Sequence, residues 1–204
     1  LWAATPRRWR AGLFEQGTLA AHCVHLEDED FRIIRKYNIR VAHCPGSNMK
    51  LASGVSPVPR LLRENITVAL GTDGASSNNN LDMLEEVHLA ALLHKVNELD
   101  PLAVPAVEAI KMGTEYGAAA LGLKDTGKIA VGQKADLVIF NTDSAAWYPK
   151  HNMASLLAYS ANSSSVDTVI VDGKILMAKH ELKTLDEEKI CYEAERAAKK
   201  LTGK

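Results

Sequence analysis

Ile66-Thr67-Val68-Ala69-Leu70-Gly71-Thr72-Asp73-Gly74 is a β-branched apolar run that stops at a carboxylate and a glycine, followed by the polar tract Ser76-Ser77-Asn78-Asn79-Asn80. Parallel α/β folds place chemistry in this way: a buried strand fixes an acidic side chain at its C-terminal end, and the following loop stays open to substrate. Taken alone, Asp73 reads equally well as the cap of the next helix, because Asp, Ser and Asn are ordinary helix-start residues. The same pattern occurs twice upstream, at Thr18-Leu19-Ala20-Ala21-His22-Cys23 and at Ile39-Arg40-Val41-Ala42-His43-Cys44-Pro45, each apolar run ending in histidine. Phe31, Ile34 and Tyr37 at helical spacing, and Val58, Leu61 and Leu62, put helices between the runs. The order is β-α-β-α-β, with His22, His43 and Asp73 offered to a shared mouth.

The 204 residues carry 24 Lys and Arg against 25 Asp and Glu, a net charge of −1. Charge so balanced and mixed gives no electrostatic footprint for nucleic acid or an anionic membrane, and a small, roughly neutral partner fits better. No apolar run has the length of a membrane span, and the N-terminus, with Arg7, Arg8 and Arg10, lacks the apolar block of a signal peptide. Cys23, Cys44 and Cys191 are an odd number without framework spacing, which predicts reduced thiols and a cytoplasmic location. A structural zinc site from His22, Cys23, His25, His43 and Cys44 is a rival idea. It is weak, because neighbours on a strand point to opposite faces.

Further along, Leu81, Leu84, His88 and Ala91 trace one face of a long helix ending near Asn97, capped at Asn80 or a neighbour. His88 and His94 ride on it and read as packing or surface histidines, since neither lies at a strand mouth. Helical stretches run from about Ala103 to Leu121, with Gly113 and Gly117 as interruptions and Gly122 as a stop. From Gly127 the character changes to strands with tight glycine turns, and Val171-Asp172-Gly173-Lys174-Ile175 is a hairpin signal. A short helix near Asn152 to Ala161 separates two strand groups, and Ile190, Ala194, Ala197 and Leu201 stripe a charged terminal helix.

Three motifs in this order, Ala20-Ala21-His22-Cys23-Val24-His25-Leu26, His43-Cys44-Pro45-Gly46-Ser47-Asn48-Met49-Lys50-Leu51 and Leu70-Gly71-Thr72-Asp73-Gly74-Ala75-Ser76-Ser77-Asn78-Asn79, resemble the amidohydrolase superfamily, and within it most closely the 5-methylthioadenosine/S-adenosylhomocysteine deaminases. The resemblance implies an α/β fold: the C-terminal part of a TIM (β/α)8 barrel, with strands six to eight ending at His22, His43 and Asp73, plus part of a small β-sandwich. The implied domains are 1–126 for the partial barrel, 127–184 for the partial β-sandwich and 185–204 for a C-terminal helix. It implies that Asp73 is both metal ligand and proton acceptor, that His22 donates to the group under attack, and that Ser77 contacts substrate. His25 is expected to be structural, and His43 either packs beneath the loop or lines the pocket. The implied cofactor is a divalent metal, Zn2+ before Fe2+ or Mn2+. The implied partner is a nucleoside, with the full-length protein a homo-oligomer.

One departure is large. The family carries a His-x-His pair on the first barrel strand and a His followed three residues later by Glu on the fifth, and this sequence has neither. A catalytic zinc takes about three protein ligands and an open position, so Asp73 alone cannot hold it. The expectation is therefore the C-terminal half of a deaminase, inactive and poorly folding by itself. Guanine deaminase or triazine chlorohydrolase chemistry is the alternative within enzymes. Outside them, the alternative is a non-catalytic half-barrel that binds a nucleoside or needs a partner chain.

Overall fold

The computed structural model describes residues 12–203; Arg7, Arg8 and Arg10 lie outside the described residues. The described residues divide into two compact units, one comprising residues up to 133 and 144–163 and the other residues 134–143 and those from 164 onward.

The first unit is built on three short parallel strands, β1 (Leu19–Ala21), β2 (Arg40–His43) and β3 (Val68–Leu70), in the order β1-β2-β3. Helix α1 (Asp28–Lys36) joins β1 to β2, and α2 (Pro45–Lys50) and α3 (Val58–Arg63) join β2 to β3. This is the β-α-β-α-β order expected from the apolar periodicity. After β3 come a single turn, α4 (Ala75–Asn78), the long helix α5 (Met83–Glu98), α6 (Ala106–Met112), α7 (Glu115–Leu121) and α8 (Met153–Tyr159). The cap of α5 is Asp82, whose side chain accepts from the Leu84 and Glu85 N–H groups, not Asn80. Gly113 interrupts the later helices as expected, whereas Gly117 sits inside α7.

Register decides which side chains reach the core. Ala20 pairs with Val41, Val41 with Val68, and His43 with Leu70. Because side chains alternate along a strand, Ala20, Val41, His43, Val68 and Leu70 share one face. That face packs on Phe31, Ile34, Leu61, Ala90 and Met112, all buried.

His43 follows Val41 into this layer. It is fully buried, with its Nε2 3.1 Å from Nε2 of the equally buried His94 on α5. One ring donates and the other accepts, and neither Nδ1 has a hydrogen-bond partner among the described residues. Of the two places open to His43, packing beneath the loop is the one it takes, and His94 is its packing partner. His88 is also structural, with its Nδ1 3.0 Å from the Ala158 carbonyl of α8.

The second unit is an antiparallel sheet, β4 (Leu137–Phe140), β5 (Val166–Val171), β6 (Lys174–Ala178) and β7 (Glu181–Leu182), in sequential order, with a terminal helix α9 (Glu187–Thr202). Asp172 and Gly173 turn the β5–β6 hairpin with φ of 50° and 75°, both left-handed, which matches the primed turn expected for Asp-Gly. The division differs from boundaries at 126 and 184. Residues 127–133 form turns, with Gly127 and Gly132 at positive φ, rather than the start of a strand. Residues 144–163 return to the first unit, where Ala158 is fully buried.

Two outcomes are expected. Among the described residues β1 and β3 each pair on one side only, and large apolar side chains such as Leu99, Ile129 and Val131 stand exposed. Such edges and faces pair with other chains. By itself, this chain should therefore elute from a sizing column as polydisperse aggregates; a monodisperse monomer with cooperative unfolding would contradict this. Second, burial lowers His94 to about 4 and holds His43 well below its ordinary value, with neighbouring His94 and His22 adding to the second shift. Both rings are thus neutral when folded, while the unfolded chain takes up protons below about pH 6.5. Stability is full above that pH and falls as pH drops toward 4, by about 1.4 kcal/mol per pH unit per histidine. Urea unfolding of the full-length protein at pH 7.5 and 5.5 checks this, and His94→Gln should flatten the difference.

Candidate active site

His22 and Asp73 meet although neither belongs to regular structure. By strand alternation His22 would follow Ala20 into the core, but the backbone turns left-handed directly after β1, at φ 67° for His22 and 47° for Cys23. Asp73 is also left-handed, at φ 62°, three residues past the end of β3. For residues other than glycine such angles cost on the order of 1 kcal/mol each and need support from their surroundings. At His22 that support is visible. The His22 N–H donates to Ala42 O at 2.8 Å, continuing the β1–β2 pairing, and the buried Ser56 hydroxyl donates to Cys23 O at 3.1 Å.

The turned side chains face a cavity of about 220 Å3 lined by His22, His25, Ser47, Asn48, Ser53 and Asp73 among others. His22 Nε2 stands 3.8 Å from Asp73 Oδ2, and the two side chains are 35% and 34% exposed, so a small molecule can reach both. Every oxygen of Asp73 is engaged. Oδ2 accepts from Ser47 Oγ at 2.7 Å and from Ser77 Oγ at 2.8 Å, and Oδ1 accepts from the Gly74 N–H at 2.8 Å. The Ser47 and Ser77 hydroxyls, then the Gly74 N–H, hold the Asp73 carboxyl below its usual range, with a smaller contribution from His22. On its other side the His22 ring puts Nδ1 2.8 Å from Asn48 Oδ1.

Helix α2 carries both supports. Ser47 and Asn48 are 1% and 2% exposed, and one touches Asp73 while the other touches His22. The helix is fixed from behind by Glu86 of α5, 1% exposed, whose carboxylate accepts from the Gly46 N–H at 3.0 Å and from Asn78 Nδ2 at 2.7 Å. Burial pushes the Glu86 carboxyl up, against the pull of those two donors. Glu86 therefore ties α2, which bears Ser47, to α4, which bears Ser77. Gly46 cannot gain a side chain here: a Cβ would collide with Glu86 Oε1 and lie 2.8 Å from Asn78 Nδ2.

Of the residues expected from the sequence, His22, Asp73 and Ser77 come together, and His43 does not join them. His25, expected to be structural, lines the cavity wall. Cys23 and Cys44 point their thiols at the Ala20 and Ala42 carbonyls, and burial pushes these thiols up to about 12 and about 11. Among the described residues no group of three or more His, Cys, Asp and Glu side chains is placed to hold one metal ion. His22 and Asp73 supply two donors, short of the three or so that a catalytic zinc takes, so these residues alone do not fit such an ion. Ser47 and Asn48 stand within a quoted motif but received no role from the sequence, and Glu86 was not singled out, because Ser-Asn after Pro and an acid in a first helical turn look like ordinary helix starts.

The profile of the Amidohydrolase family matches residues 5–176. A 5-methylthioadenosine/S-adenosylhomocysteine deaminase of Dictyoglomus thermophilum is 53% identical over 206 residues, covering 100% of this chain and 48% of that protein. The protein of the same name from Pelotomaculum thermopropionicum is 51% identical over 205 residues, covering 100% and 47%. The chain thus spans about half the length of the curated relatives it matches. Among solved structures, an adenosine deaminase from Xanthomonas campestris with bound zinc superposes with a TM-score of 0.93 at 35% identity, covering 97% of this chain and 45% of that one. An atrazine chlorohydrolase from Arthrobacter aurescens complexed with zinc gives 0.86 at 27% identity, covering 94% and 43%. A family profile spanning most of the sequence and a backbone that follows these hydrolases over nearly all its length agree: this chain belongs to the amidohydrolase family.

Proposed function

We propose that the protein containing this chain removes the amino group of the adenine ring of 5-methylthioadenosine or S-adenosylhomocysteine by hydrolysis, giving the inosine analogue and ammonia. The observation that carries this is the approach of His22 Nε2 to Asp73 Oδ2, 3.8 Å across an open cavity, in a chain about half identical to deaminases of that name. In this account β1, β2 and β3 are strands six, seven and eight of a (β/α)8 barrel, and the second unit is part of a β-sandwich. The cavity, at about 220 Å3, is smaller than the roughly 300–1,000 Å3 of ligand pockets, in keeping with further walls supplied from elsewhere in the protein.

Water adds its oxygen to the ring carbon that bears the amino group. Asp73 accepts one water proton, and its lowered basicity suits relay rather than storage. His22 donates from Nε2 to the group under attack. The proton held by Asp73 passes to the amine, the C–N bond breaks with its electron pair leaving on nitrogen as ammonia, and the remaining hydroxyl proton returns to His22 as the ring carbonyl forms. Ser77 donates to Asp73 and, in this reading, also contacts the substrate. Asp73 would be one ligand of a divalent ion, Zn2+ before Fe2+ or Mn2+, completed by residues outside those described. When bound, such an ion brings the pKa of water toward neutrality. The protein is taken to work in the cytoplasm as a homo-oligomer on a small nucleoside. No helix among the described residues is long and apolar enough to cross a membrane.

Ammonia release by the full-length protein should be measured with 5-methylthioadenosine, S-adenosylhomocysteine and guanine, and chloride release with atrazine. Turnover of the first two is expected, with Asp73→Asn and His22→Gln each lowering kcat by roughly 10²- to 10⁴-fold. Turnover of guanine or atrazine alone would overturn the substrate. No turnover by the metal-loaded full-length protein would overturn the reaction.

A further inference from the structure

Ser47 and Ser77 reach the same oxygen of Asp73 from two different helices, and each has as its immediate neighbour a donor to Glu86. The Gly46 N–H, one residue before Ser47, donates to Glu86 Oε2 at 3.0 Å. The Asn78 amide, one residue after Ser77, donates from Nδ2 to Glu86 Oε1 at 2.7 Å. The carboxylate thus gives one oxygen to each helix. The direction of the Asn78 amide is settled from both sides, because its Oδ1 accepts the Leu81 N–H at 3.0 Å and leaves Nδ2 to face Glu86.

Neither helix can hold its serine by itself. α4 is a single turn of 4 residues and α2 has 6, lengths that a helix's own hydrogen bonds do not sustain. The two are also joined by Lys50 Nζ, which donates to Ser76 O at 2.9 Å, but that contact is exposed, where solvent screens the charge and a long side chain loses freedom in holding it. Glu86 is buried beside Val87, Ala90 and Ala91 on α5 and stands outside the residues that line the cavity. A carboxylate in such a place is costly unless its oxygens are paired, and an apolar side chain of similar size would pack there without needing partners. What the carboxylate adds is two acceptors at a fixed separation.

We propose that Glu86 is a positioning residue of the site: one buried carboxylate sets the spacing of α2 and α4 at which Ser47 and Ser77 both donate to Asp73 Oδ2. Its meaning for catalysis rests on the proposed function, in which Asp73 must be aimed at water and substrate, whereas the geometry of the tie does not depend on the substrate. A carboxamide has one acceptor oxygen, so Glu86→Gln cannot serve both donors. If its oxygen keeps the Gly46 N–H, its NH2 group faces the NH2 group of Asn78, which then loses that bond or turns and gives up the Leu81 N–H. α4 is therefore the side that loosens, and Ser77 the donor that leaves Asp73. Exchanging the two groups, Asn78→Asp together with Glu86→Gln, restores every bond at unchanged charge: the introduced amide accepts from Gly46 and donates to the introduced carboxylate, whose second oxygen accepts from Leu81.

The test combines crystal structures and steady-state kinetics of the full-length protein, with kcat taken at a temperature where circular dichroism shows each variant folded. In crystals, Glu86→Gln should move Ser77 Oγ beyond about 3.5 Å from Asp73 Oδ2, and Asn78→Asp with Glu86→Gln should bring it back. With 5-methylthioadenosine or S-adenosylhomocysteine, Glu86→Gln should lower kcat about 10- to 100-fold with little change in KM, as expected for a small displacement of a reacting group. The exchanged pair should recover most of that loss. In a Ser77→Ala background Glu86→Gln should cost little more, because the donor through which it acts is already gone; a carboxylate that only stabilises the fold would cost the same in both backgrounds. Should Glu86→Gln not fold, Asn78→Ala removes the same bond from its other end and takes its place in the crystals and in the Ser77→Ala comparison. Crystals in which Ser47 and Ser77 both keep their bonds to Asp73 would overturn the proposal. So would an equal loss in the Ser77→Ala background, or an exchanged pair no better than Glu86→Gln. A full-length protein that turns over neither nucleoside refutes the proposed reaction alone, because the crystal structures still decide the role of Glu86.

Discussion

Asp73 Oδ2 is the point on which the site turns. It receives the hydroxyl protons of Ser47 and Ser77 and stands 3.8 Å from the His22 ring, so three segments far apart in sequence are fixed relative to one carboxylate oxygen. Hydrogen bonds to a charged acceptor are roughly twice as strong as neutral ones. Here they also hold the carboxyl in its ionised form, which in turn keeps the acceptor charged. The exposure of His22 and Asp73 leaves the pair wet and reachable, while the groups that aim it are dry.

The parallel sheet makes this convergence possible. In register, Ala21 lies beside Ala42 and His43 beside Leu70, so the three strands end at one level. A regular continuation would send His22 behind the sheet, as it does His43. The left-handed turn at His22 and Cys23 breaks the alternation and returns the ring to the mouth. Backbone strain of this kind persists only where surroundings over-determine it. The Ala42 carbonyl, the Ser56 hydroxyl and Asn48 do so from three directions. Behind α2, Glu86 plays the same part for α2 and α4. It is a buried carboxylate kept ionisable by the Gly46 N–H and the Asn78 amide, and only glycine at position 46 lets α2 approach it so closely.

Much of this was legible in the sequence because it is local. The apolar runs ending at Leu70 and Ala42 are strands, the Asp172-Gly173 hairpin forms, and His22 and Asp73 share a mouth. What the runs did not disclose is parity. Val41 and His43 are two residues apart and must share a face, yet a histidine at a strand end looked like an offer to the site until the register showed Val41 in the core. The supports were hidden for another reason. Asn48 meets His22 across 26 residues and Glu86 meets Gly46 across 40, and their residue types match ordinary helix starts. No periodicity carries such contacts. Of the strands and glycine turns expected from Gly127 onward, the turns come first, at Gly127 and Gly132, and the strand begins only at Leu137.

The account places Asp73 at the centre of a metal-dependent hydrolytic site, and anomalous diffraction from crystals of the full-length protein grown with zinc addresses that most directly. An anomalous peak at bonding distance from the Asp73 carboxylate, on the cavity side that His22 Nε2 faces, is the predicted result. A peak elsewhere, with Asp73 bonded only to Ser47, Ser77 and Gly74, would contradict it.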